Sequence, residues 1–102
     1  MRRATTPTHT FTLPDTVLVN ELVEVLITYS QDKKNVLEKR LSDISVSTEN
    51  NALIVNLTQK EATLFAPGKA LVQIRVKNED SSVLASQMMW IEVKAVLNSE
   101  EL

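Results

Sequence analysis

The chain has no cysteine, one glycine, three prolines and one histidine in 102 residues. Without cysteine there is no disulfide, no thiolate nucleophile and no Cys-based zinc site, so the fold must stand on packing alone. A single glycine, Gly68, rules out phosphate-cradling loops and dinucleotide fingerprints, which need several. It also leaves few turns able to take a positive φ without steric cost. Aromatic residues make up only 4%, so the core must be built from Leu, Val and Ile. The lone histidine, His9, has no neighbour in sequence suited to acid–base or metal chemistry, since Asp15 lies beyond Pro14. It reads as a surface or strand-end imidazole. No Gly-x-Ser-x-Gly elbow is present. No catalytic residue, cofactor or metal is expected, and the chain does not read as an enzyme.

Charge of one sign is also lacking. Eleven Lys and Arg face thirteen Asp and Glu, for a formal net charge of −2, and the two signs are interspersed. That balance gives no electrostatic footprint for nucleic acid. Lys33-Lys34 and Lys39-Arg40 put four positive charges around one hairpin, but Asp32 and Glu38 offset them. No apolar run is long enough for a signal peptide or a membrane span. The expectation is therefore a protein kept in the cytoplasm until it is assembled into something larger, with no membrane partner.

What the chain does have is alternation. Residues 8–13 form a β-branched and aromatic run between prolines, which suits an edge strand with His9, Phe11 and Leu13 on one face. Residues 17–22 have the makings of one helical turn. From residue 22 to 30 a period of two takes over, with Val23, Val25, Ile27 and Tyr29 on one face. A polar turn at 32–35 and a strand over 36–41 complete a hairpin. A short strand at 44–47, a turn at 49–51 where Asn tolerates the left-handed region, and a strand ending near Leu57 follow. Thr58 with Glu61 three residues on is a capping-box pattern, and the helix it starts, about two turns long, must stop at Pro67-Gly68. Residues 69–77 are the clearest strand, residues 78–82 a turn, and residues 83–94 the last strand or pair of strands.

About seven short strands separated by polar turns predict one all-β domain over residues 1–102, a small antiparallel immunoglobulin-like sandwich with one short helical corner. Loose termini are expected at about 1–6 and 96–102. The expected core is Phe11, Leu13, Val23, Val25, Ile27, Tyr29, Leu53, Val55, Leu57, Leu64, Phe65, Val72, Ile74, Val76, Ile91 and Val93. If Met89, Ile91 and Val93 point inward, Trp90 lies on the opposite face with Met88. Large apolar side chains exposed in that way mark an interface, so Trp90 and Met88 are the candidate contact residues. The other reading is a register that buries Trp90, or a tail that covers it.

Several segments resemble small proteins encoded in bacteriophage and prophage structural gene clusters. They are Arg2-Arg3-Ala4-Thr5-Thr6-Pro7-Thr8-His9-Thr10-Phe11, Val36-Leu37-Glu38-Lys39, Leu57-Thr58-Gln59-Lys60-Glu61-Ala62-Thr63-Leu64-Phe65, Val72-Gln73-Ile74-Arg75-Val76 and Val83-Leu84-Ala85-Ser86. The likeness implies an immunoglobulin-like module similar to the N-terminal domains of some phage baseplate proteins. It further implies a virion- or tail-associated structural or assembly role without enzymatic activity. The implied partners are other protein subunits, a second copy of the chain among them. The alternative is a monomeric sandwich that binds a peptide or carbohydrate through its loops at 32–35 and 78–82.

Overall fold

The computed structural model describes residue 1, residues 6–79 and residues 84–94; of Leu84 and Ala85 the backbone alone is described. Seven strands and one short helix follow one another as β1 (Thr8–Thr12), β2 (Leu22–Gln31), β3 (Lys34–Arg40), β4 (Ser45–Ser47), β5 (Ala52–Asn56), α1 (Gln59–Ala62), β6 (Gly68–Asn78) and β7 (Leu84–Val93). They make two antiparallel sheets, ordered β1-β5-β4 and β3-β2-β6-β7. This is the small all-β sandwich that the alternation predicts. Counted from its second strand, the immunoglobulin-like wiring gives the same two orders, B-E-D and C′-C-F-G. The turn residues 80–82 and the tail residues 95–102, like residues 2–5, lie outside the described residues.

Period-two burial explains the packing. Along β6, Ala70, Val72, Ile74 and Val76 are buried, and the residues between them face outward. Register carries that face across the sheet, pairing Ile27 with Ile74 and Tyr29 with Val72. From the smaller sheet, Phe11, Leu53 and Val55 close on them, with Leu57 and Phe65 from the crossover. Tyr29 and Phe65 meet edge to face with ring centres 5.6 Å apart.

Three core expectations need correction. Val23 is 46% exposed. The β2–β6 register shifts between Leu22 and Glu24, so one extra residue resets the parity: Leu22 and Val25 both turn inward and Val23 turns out. Leu64 is 55% exposed, because the helix is four residues long rather than two turns and Leu64 falls past its end. Ile91 is only partly buried and packs at the margin of the core. In turn, Val17, Val19 and Leu22 are buried although they lie outside a regular strand interior. Val17 and Val19 belong to the β1–β2 connection, which holds a 3-10 turn at Val19–Glu21, and Leu22 is the first residue of β2.

Polar side chains fix the connections. Thr58 Oγ1 accepts from Glu61 N at 3.1 Å, and Glu61 Oε1 accepts from Thr58 N at 2.9 Å, completing the expected capping box. The other carboxylate oxygen of Glu61 pairs with Lys39 Nζ at 2.6 Å, tying α1 to the inner side of β3. One strand over, Gln31 donates from Nε2 to Ala66 O at 2.8 Å and accepts at Oε1 from Ala66 N at 2.9 Å. The crossover is thus clipped to both β2 and β3.

Candidate functional site

The outer face of the four-stranded sheet is set by register. Residues opposite one another across β2, β6 and β7 share a face, so Leu26 stands with Arg75 and Ser86, Thr28 with Gln73 and Met88, and Ser30 with Leu71 and Trp90. Arg40 and Glu38 extend the first two rows onto β3. Leu71, Met88 and Trp90 therefore adjoin as one apolar group, flanked by Thr28, Ser30 and Gln73.

Trp90 is 65% exposed and Met88 66%. The outward register is the one adopted, and Val93, on the opposite face, is buried. The structure brings both candidate contact residues together on one surface. It adds Leu71, cross-strand neighbour of Trp90, which sequence reading missed because the pairing of β6 with β7 had to be known first.

His9 is not a plain surface imidazole. It is half-buried, and its Nδ1 lies 2.7 Å from the Tyr29 hydroxyl. Its Nε2 is buried without a hydrogen-bond partner. Burial, joined by the nearby N-terminal ammonium, holds its pKa below the ordinary value, because taking a charged imidazolium out of water is costly. Burial, with the Glu61 carboxylate in support, pushes the Tyr29 hydroxyl well above its usual range. Both groups are thus held neutral at pH 7. The pair joins β1 to β2 across the sandwich and sits against Phe11 and Phe65. The role this supports is packing.

Among the described residues no group of three His, Asp or Glu is placed to hold a metal ion. No helix among them is long and apolar enough to cross a membrane. The loop at 32–35 is a two-residue hairpin turn. Asp32 and Lys33 have φ of 51° and 66°, the signature of a type I′ turn, while Lys34 and Asn35 already belong to β3.

Beside the apolar group, at the β3 end of the same face, lies an open groove of about 940 Å³. Its walls include Leu26, Arg40 and Arg75, with Val23 and Leu41 at one end.

Comparison with known protein families and with curated proteins finds no match to this chain.

Proposed function

We propose that this protein is a non-enzymatic assembly module that contacts another protein subunit through the outer face of the β3-β2-β6-β7 sheet. The observation that carries the reading is the pair of exposed side chains Met88 and Trp90 beside half-buried Leu71 on a regular sheet. Two large apolar side chains each about two-thirds exposed are costly in water, and covering them is favourable by roughly 25 cal/mol per Å² of apolar surface removed. A sheet face with an aromatic and a methionine on its edge strand β7, backed by Leu71 and bordered by Thr28, Ser30 and Gln73, has the make-up of a contact core and rim. The phage- or prophage-particle setting, with virion or baseplate association, rests on the sequence resemblance alone.

Sedimentation equilibrium on the full chain tests the reading, with a second copy as the first partner examined. The wild-type chain associates as concentration rises, and Trp90→Ser shifts it toward monomer. An unchanged monomer in both proteins removes the support.

A further inference from the structure

The groove beside the apolar group has its own chemistry. Leu26 pairs with Arg40 on one side and with Arg75 on the other. The two arginines therefore flank one leucine in a single row, with Cα atoms about 10 Å apart at two inter-strand spacings. Lys77 follows two residues after Arg75 on the same face, and Val23, turned outward by the bulge, adds an exposed aliphatic surface.

The counter-charges are weak. The Arg40 side chain has Glu38 at 4.0 Å, both well exposed, while the Asp43 carboxylate is taken up by the Arg40 backbone N–H at 3.0 Å. The neighbour of Arg75 is a neutral amide, the Gln73 carbonyl accepting from its Nη2 at 3.2 Å and Nε at 3.3 Å once that amide is turned to face it. Among the described residues Glu24 is the carboxylate on the groove wall, and it stands directly across the ladder from Lys77. With Lys77 answered by Glu24, the charge that faces the aliphatic floor is that of the two arginines, Arg40 and Arg75.

We propose that this groove takes an acidic peptide segment of a partner subunit, with a carboxylate held between Arg40 and Arg75 and an aliphatic side chain seated on Leu26 and Val23. Two arginines on either side of Leu26 in one cross-strand row suit a carboxylate, which each can hold through paired N–H donors. The aliphatic floor and the Glu24 carboxylate, together with the net negative charge, disfavour a dense polyanion. The proposal deepens the assembly reading by naming the partner's chemistry, and it draws that reading in only for the peptide's source.

The test is an NMR titration of the isotope-labelled full chain with a synthetic hexapeptide alternating glutamate and leucine. Its glutamine counterpart and inorganic phosphate serve as comparison probes. The glutamate peptide saturates and shifts the amides of Leu26, Arg40, Ser42 and Arg75. The double variant Arg40→Gln/Arg75→Gln, with its spectrum otherwise unchanged, binds at least about tenfold more weakly, as expected for loss of charged hydrogen bonds. The glutamine peptide is weaker by a similar factor, and added salt weakens the glutamate peptide. Repeating the titration on Trp90→Ser gives the same groove response, so failure of the apolar contact and failure of the groove are read separately. No saturable shift would overturn the proposal. So would equal binding of the glutamine peptide, or phosphate acting on the groove as strongly as the glutamate peptide.

Discussion

Replacing Asn51 by alanine is the most informative single change to the fold. Asn51 sits in the β4–β5 turn with φ of 51°. Its side chain reaches into the β1–β2 connection: Oδ1 accepts from Val19 N at 2.9 Å, and Nδ2 donates to Val17 O at 2.9 Å and Pro14 O at 3.2 Å. Leu13 O lies at 3.4 Å, sharing the same two N–H groups. The backbone joins in, with Leu13 N donating to Asn51 O at 2.9 Å. Alanine removes all the side-chain bonds and leaves the N–H of buried Val19 without an acceptor. Stranding that donor costs about 1–3 kcal/mol, and holding alanine in the left-handed region adds about 1 kcal/mol. The expected loss is about 3 kcal/mol, a large share of a stability of roughly 5–15 kcal/mol. Asn51→Gly removes the same bonds but accepts the positive φ, so it should be less damaging by about 1 kcal/mol. Urea unfolding of the three proteins measures both differences. A loss under about 1 kcal/mol for Asn51→Ala would refute the hydrogen-bond account, and equal losses for alanine and glycine would refute the strain account.

Two further changes probe strain and protonation. Lys33 holds a positive φ of 66° in the type I′ turn, so Lys33→Gly should raise stability by about 0.5–1 kcal/mol, read as a higher urea midpoint. His9 is the one histidine, and its pKa is lowered in the folded chain. The unfolded chain then binds more protons as pH falls below about 6.5. Stability should be full above that pH and decline below it, by at most about 1.4 kcal/mol per pH unit. His9→Gln should flatten the 5.5–6.5 part of the curve, checked by unfolding at several pH values.

The strands and their inward faces were legible in the sequence because burial with a period of two leaves a direct imprint, clearest at Val72, Ile74 and Val76. The capping box at Thr58 and Glu61 was legible for the same reason: cause and effect lie within one turn. The bulge was not, since Val23 and Val25 are chemically alike and only the pairing with β6 shows the parity change. Nor were the non-local ties. Lys39 and Arg40 read as one positive pair, yet the strand sends Lys39 inward to Glu61 and Arg40 outward to the groove. His9 gained its partner, Tyr29, only when β1 and β2 faced each other across the core. For the contact surface, sequence supplied Trp90 and Met88, while Leu71 and the paired arginines required the register of the folded sheet.

Trp90 is the one tryptophan in the chain, so its fluorescence reports on the proposed contact without a label. In dilute protein the emission should be that of a water-exposed indole, readily quenched by iodide. As concentration rises it should shift to the blue and lose that quenching, and Trp90-independent signals such as far-ultraviolet circular dichroism should stay constant. Emission that is already blue and protected at the lowest concentration would contradict the exposed register, and emission that stays red and quenchable up to the solubility limit would contradict self-contact through this face.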